Sequence, residues 1–461
     1  MNHAKKDTSA GSLSSILTNM IAQTSFDAKT KSLSVALMLV LFLAAMETTV
    51  TVLATPSITR DLAGFDIMSL IFSAYLFMSA ITTPIFGFFA DTFGRKRTLI
   101  IGILVFLVGS ALCGFSQSMI MLVASRAVQG IGSGAIFTLS YTIVGDVFPL
   151  ESRGPIMGAM SSMWGIAGLA GPLLGGLLID AFSWHWVFFI NIPFGILSIV
   201  LVQISLKETH GTPPKEQKHS DKSGLFTRAT VLVNAVAFLA SISMIGIDVY
   251  LALFLQSVLG YSPTISGLAV FPMAISWFFV SLYMGKLLMR FNPKILVVIC
   301  GCIQVLCSVL LISLNAESGL LAVILCSFFC GIGIGGLITS ATMIIQESVS
   351  YSKRGSAMGI NTFVKSMGQT VGISVLGAAL NIWLISFFAK RGYSEIDPSG
   401  LMQGGGAIAS GSDSLSSLSD ELIIQALDGG IDFLFWILLL STILLVLLAL
   451  FIPKVKLQEL N

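Results

Sequence analysis

The sequence predicts an all-α membrane protein of twelve transmembrane helices, arranged as two six-helix repeats around a central cavity. Three observations carry this expectation: an internal repeat, an apolar composition and a one-sided distribution of Lys and Arg. Gly130-Ile-Gly132-Ser-Gly134 recurs as Gly331-Ile-Gly333-Ile-Gly335, and Asp146 and Arg153-Gly154 fall on Glu347 and Arg354-Gly355, all at an offset of 201 positions without a gap. A second echo, at an offset of 198, sets Gly87 to Lys96 against Gly285 to Lys294. Repetition embedded in hydrophobic stretches means two copies of one bundle.

Of 461 residues, 55% are hydrophobic and 10% charged, against about 25% charged in a typical soluble protein. Most of the surface must therefore face the lipid bilayer. The net charge of +2 is dispersed among short loops and forms no basic patch, so nucleic acid is not an expected partner. Cys113, Cys300, Cys302, Cys307, Cys326 and Cys330 all lie in apolar runs and read as small core residues, not as a disulfide framework or metal site. With four scattered histidines, and no HExxH, nucleotide loop or Ser/His/Asp arrangement, neither an enzyme nor a metal nor a cofactor is expected. The first 31 residues lack the pattern of a signal peptide.

A span needs roughly 20 apolar residues. The stretches that qualify are 33–55, 68–90, 98–115, 118–145, 155–180, 186–206, 229–257, 264–289, 294–313, 319–346, 355–388 and 431–452. An even number places both termini on one side. With that side cytoplasmic, twenty Lys and Arg lie inside and only Arg60, Lys390 and Arg391 outside, which is the positive-inside signature. The chain then divides into a cytoplasmic tail (1–32), an N-terminal bundle (33–206), a cytoplasmic linker (207–228), a C-terminal bundle (229–452) and a second cytoplasmic tail (453–461). An external Gly/Ser-rich loop, 389–430, interrupts the second bundle, and a short surface helix near Leu415 to Leu427 is possible within it. This loop reads as a tolerated insertion or as a functional lid.

Taken in order, the first span carries Glu47 in an otherwise apolar run, with Thr51 one turn on, and the string Thr49-Val-Thr-Val-Leu-Ala-Thr-Pro56. Between the second and third spans lies Gly87-Phe-Phe-Ala-Asp91-Thr-Phe-Gly94-Arg95-Lys96-Arg97, where glycines permit a tight turn and close helix approach. In the fourth, Arg126 of Ser125-Arg126-Ala-Val-Gln129-Gly130 is well inside the bilayer, where an unpaired charge costs several kcal/mol, by order of magnitude. The fifth contains Gly165-Ile-Ala-Gly168-Leu-Ala-Gly171-Pro172-Leu-Leu-Gly175-Gly176, small residues at intervals that let a neighbouring backbone approach, with a proline that bends the helix. The corresponding stretch of the second half keeps Gly372 but has Ser366, Gln369 and Ile373. Trp184-His-Trp186-Val-Phe-Phe-Ile-Asn191-Ile-Pro193 opens the sixth, and Leu255-Gln-Ser-Val-Leu-Gly260 follows the seventh.

These strings resemble the major facilitator superfamily, and within it the drug/proton antiporters that export quaternary ammonium compounds and other lipophilic cations. The resemblance runs over essentially the whole chain. Such relatives usually have fourteen spans, whereas this sequence shows twelve. It implies the facilitator fold and a latch at Gly87, Asp91, Gly94 and Arg95 that stabilises one access state. It also implies an antiporter motif at Gly165, Gly168, Gly171, Pro172, Gly175 and Gly176, and a role for Arg126 in proton transfer. A merely solvated turn and a structural arginine are the plainer alternatives. Export would be driven by the proton gradient, without a cofactor, by a monomer in the cell membrane, a bacterial cytoplasmic membrane by this resemblance, with small lipophilic or cationic substrates and protons as its partners.

Asp248 in the seventh span is the second deep acid and Lys365 in the eleventh the second deep base. The first, fourth, seventh and tenth helices line the cavity in this superfamily, so Glu47, Arg126 and Asp248 are the expected proton-coupling and substrate residues. Helical spacing sets Ser133 and Ser140 with Arg126 and Ser241 with Asp248. Glu47 reads either as a coupling acid or as a structural partner of Arg126, and Lys365 either as functional or as snorkelling towards the cytoplasm. Export of an endogenous lipid or metabolite, and a transporter-like sensor, remain as alternatives.

Overall fold

The computed structural model describes residues 28–62, 67, 70–207, 224–261, 263–392 and 420–453. Its long helices are α1 (Ala28–Leu62), α2 (Leu70–Phe93), α3 (Arg95–Gly114), α4 (Met119–Val147), α5 (Leu150–Ala181) and α6 (Asn191–Ser205), the last preceded by a single turn, Trp186–Phe189. They continue as α7 (Arg228–Leu253), extended by a π-helical turn Phe254–Val258, then α8 (Pro263–Arg290), α9 (Pro293–Ile312), α10 (Leu320–Ser348), α11 (Arg354–Ala389) and α12 (Asp420–Leu450). Among the described residues no strand occurs, and eleven helices are long and apolar enough to cross a membrane. In lipid the backbone must satisfy itself, which long helices do.

Local chemistry sets several ends. Ser118 caps α4 by accepting from the Met121 amide, Thr227 and Thr230 form a reciprocal box at the start of α7, and Asn292 caps α9 with Pro293 at its first turn. The linker and the external loop lie mostly outside the described residues. At the loop's far side, residues 420–430 are helical and continuous with α12. Ile423, Ala426 and Leu427 are buried there, so the last span begins eleven residues before its apolar run at 431.

Packing repeats under a shift of six helices. The contacts α1–α5, α1–α6, α2–α4 and α3–α4 recur as α7–α11, α7–α12, α8–α10 and α9–α10. The halves meet through α2 against α11 and, symmetrically, α5 against α8. Glycine makes the first contact possible: a Cβ at Gly87 would strike the Gly355 carbonyl, and one at Gly355 would lie 2.6 Å from the Gly87 carbonyl oxygen. Gly154 and Gly158 of α5 meet Ser281 and Leu282 of α8 in the same way.

The apolar core shows how the halves are disposed. Around the end that carries residues 90–99, 143–157 and 343–358, buried residues of both halves join in one continuous cluster. Towards the opposite end there are two clusters, one confined to the N-terminal half and one to the C-terminal half. The bundle is therefore closed at the end predicted to face the cytoplasm.

Candidate functional site

The charges embedded in the N-terminal half form one sealed network. Arg126 Nη1 lies 2.6 Å from Glu47 Oε1 and donates to Gln129 Oε1 at 2.6 Å, while its Nε donates to the Ile71 carbonyl at 3.2 Å. The second carboxylate oxygen of Glu47 accepts from Asn191 Nδ2 at 2.6 Å, and Thr51 donates to Oε1 at 3.2 Å. Ser110 ties Asn191 and Gln129 together at 2.9 and 3.2 Å. The Arg126 guanidinium also sits 4.3 Å from the centre of the Tyr75 ring, a cation–π contact. Glu47 is 1% exposed, and Arg126, Gln129 and Asn191 are 0% exposed. Two charges out of water are tolerable only with this density of partners.

Asp248 is not part of that network and does not meet Glu47. It lies half-buried on α7. Among the described residues it has no hydrogen-bond or ion-pair partner. Lys365 likewise meets no carboxylate among the described residues; its ammonium lies 3.5 Å from Thr342 Oγ1 and 5.3 Å from the centre of the Tyr141 ring. Of the predicted polar stripes, Thr51 joins Glu47, but Ser133 bonds to Ser79 at 2.9 Å, Ser241 to its own helix, and Ser140 is buried with no partner among the described residues.

At the closed end, Asp91 caps α11 across the interface. Its carboxylate accepts from the Gly355 amide at 2.9 Å and the Ser356 amide at 2.6 Å, and pairs with Arg95 at 2.6 Å. The positive end of the helix dipole adds to the attraction. Gly94 supplies the turn between α2 and α3 with φ of 99°, a backbone geometry that favours glycine. Arg95 also reaches Asp146 at 2.9 Å and donates to the Tyr351 carbonyl at 3.0 Å.

The pairs that extend this seam are diagonal: Arg354 with Asp146 at 2.9 Å, and Arg153 with Glu347 at 2.6 Å. Asp146, Arg153, Glu347 and Arg354 were visible in sequence only as repeat echoes; retention of an acid and an Arg-Gly in both halves was the signal of their use. Asp91 and Arg95 have no charged equivalents, since the 198-residue offset places Met289 and Pro293 there.

The glycine motif Gly165, Gly168, Gly171, Pro172, Gly175 and Gly176 lies along α5, which packs against both α1 and α8. Gly171 and Gly175 are buried. No cluster of His, Cys, Asp and Glu suited to a metal occurs among the described residues.

One expected outcome follows for the seam. In Asp91→Asn a single amide oxygen must replace two carboxylate oxygens and the charge is lost. Charged hydrogen bonds contribute about 1.5–3 kcal/mol each, so the closed population should fall at least tenfold relative to the open one. Spin-label distances across this end should lengthen and turnover should slow, with no weakening of substrate affinity. Normal turnover with weakened affinity would contradict a conformational role for Asp91.

Two helical halves packed by one repeated scheme, with a charged seam at one end and embedded ionisable groups in each, define a membrane transporter built from two halves. The profile of the Major Facilitator Superfamily matches residues 37–373. The chain belongs to that superfamily, and is a multi-pass membrane protein rather than an enzyme. The multidrug efflux pump SdrM of Staphylococcus aureus is 29% identical to it, over 74% of this chain and 88% of the relative. Multidrug resistance protein 3 of Bacillus subtilis is 27% identical, over 95% and 98%. Among solved structures, the proton:xylose symporter XylE superposes with a TM-score of 0.68 at 14% identity, over 93% of this chain and 97% of the symporter. At that identity the likeness establishes the fold alone.

Proposed function

We propose that this protein exports lipophilic, cationic drugs in exchange for protons by alternating access, acting as a monomer with both termini in the cytoplasm. Its multidrug-pump relatives support drug export. The observation that carries proton coupling is Asp248: a carboxylate on a membrane-spanning helix, half-buried and unpartnered among the described residues. Ionised, such a group is costly; a proton or an organic cation neutralises it, so the two compete. Glu47 and Arg126 form a second ionisable pair in the opposite half, whose many partners suit stability as well as proton transfer.

The closed end and its seam then belong to the outward-facing state. Opening the cytoplasmic side would require breaking the diagonal pairs Arg354–Asp146 and Arg153–Glu347 and parting Gly87 from Gly355. The energetics are adequate. One proton exchanged for one monovalent cation moves no net charge, so ΔpH alone drives it, at about 1.4 kcal/mol per tenfold gradient. A second proton would add the membrane potential, about 2.3 kcal/mol per charge per 100 mV.

The experiment is flux of ethidium and tetraphenylphosphonium in proteoliposomes with an imposed ΔpH, with and without a protonophore. Uphill movement that the protonophore abolishes is expected. Uphill flux indifferent to it would defeat proton coupling, and flux of anionic or neutral amphiphiles but of neither cation would favour a lipid or metabolite exporter.

A further inference from the structure

Lys365 is the twelfth residue of α11, about 16 Å from that helix's start at roughly 1.5 Å per residue, too deep for its amine to reach the aqueous end. Its ammonium instead turns across the molecular divide to the face of Tyr141, a residue of α4 in the other half. Tyr141 is held at this place by a hydrogen bond from Gln346 Nε2 of the C-terminal half to its carbonyl, 2.8 Å long. One turn before it on the same helix face, Phe137 stacks on Trp164 of α5, ring centres 5.5 Å apart and planes 17° from parallel. Trp164 is 44% exposed. The result is an aromatic surface with a tethered cation already resting on one part of it. No carboxylate among the described residues pairs with that cation.

Aromatic faces attract ammonium and phosphonium ions by the same quadrupole that attracts lysine. We propose that Lys365 is a built-in competitor for the cation subsite formed by Tyr141 with Phe137 and Trp164, occupying it when the seam is closed and leaving it when the seam opens. Because the two partners lie in opposite halves, separation of α11 from α4 withdraws the ammonium and bares the ring. An organic cation entering from the open side meets free aromatic surface. Closure returns Lys365 and lowers the affinity, so that the cation leaves on the far side. Lys365 is thus a specificity-determining and positioning residue that discriminates against cations in one state only. This inference rests on the cation-exporter reading above.

The test compares the wild-type chain with Lys365→Met and Lys365→Arg, and with Tyr141→Leu, in lipid nanodiscs and proteoliposomes, with tetraphenylphosphonium as the probe. Met keeps the length and bulk of Lys without its charge. Lys365→Met should bind the probe about tenfold more tightly, the scale a desolvated cation–π contact supplies, while its ΔpH-driven efflux slows. Lys365→Arg should restore weak binding and turnover, and Tyr141→Leu should cancel most of the gain when combined with Lys365→Met. A Lys365→Met protein that binds and exports the probe as the wild type does, or binds it less well, overturns the competitor role alone. A wild-type protein that binds no tetraphenylphosphonium overturns the cation reading and this inference with it.

Discussion

Asp248→Asn should leave a well-folded protein that equilibrates its substrate but no longer concentrates it. The amide is the nearest neutral mimic of the protonated acid. Since Asp248 has no bonding partner among the described residues, the exchange breaks no bond, and it removes an uncompensated charge from the membrane interior. The melting temperature should therefore hold or rise. Coupling is another matter. At a ΔpH of one unit, one-for-one exchange sustains about a tenfold substrate gradient, equivalent to about 1.4 kcal/mol. Without a titrating group at this position, that gradient should collapse to near unity while downhill flux continues. Proteoliposomes loaded at one pH and diluted into another read both quantities. A folded Asp248→Asn protein that still builds the full gradient would remove Asp248 from the mechanism and leave the Glu47–Arg126 pair as the proton pathway.

The helices were legible in the sequence because lipid imposes long apolar runs, and the repeated packing scheme was announced by the internal repeat, but which helices join the halves was not. The exception is instructive. Residues 420–430 carry Asp420, Glu421 and Asp428, too polar for an apolar run, yet Ile423, Ala426 and Leu427 find a core to enter and the helix simply starts earlier. Spacing along one helix was enough to join Thr51 to Glu47, but it misdirected Ser133, whose partner Ser79 lies on a different helix. Asn191 appeared in sequence only as one letter of a string; its contact with Glu47 depends on α6 packing against α1, 144 residues away in the chain. The same limit hid the target of Lys365. Residue types and depth were readable, whereas direction across the molecular divide required the packed structure.

The largest effect on stability is expected at Arg126. Arg126→Met leaves Glu47 buried with Asn191 and Thr51 as its remaining donors, and empties one acceptor site on Gln129. Breaking one side of a buried ion pair costs about 3–5 kcal/mol, so the thermal unfolding midpoint in detergent should fall well below that of the wild type. Glu47→Gln should cost less, because the amide still accepts from Asn191 or Thr51, although Arg126 then loses its counter-charge. The double substitution Glu47→Gln with Arg126→Met removes both charges at once. It should recover much of the loss, since a neutral, well-packed replacement for a buried pair is often no less stable than the pair itself. Such recovery, found together with lost ΔpH coupling, would assign the pair to transport as well as to folding; recovery with intact coupling would make it a structural tie alone. If Arg126→Met melts with the wild type, the sealed network is not the anchor its geometry describes, and the stability of the N-terminal half must rest on the apolar packing of α1 against α5 and α6.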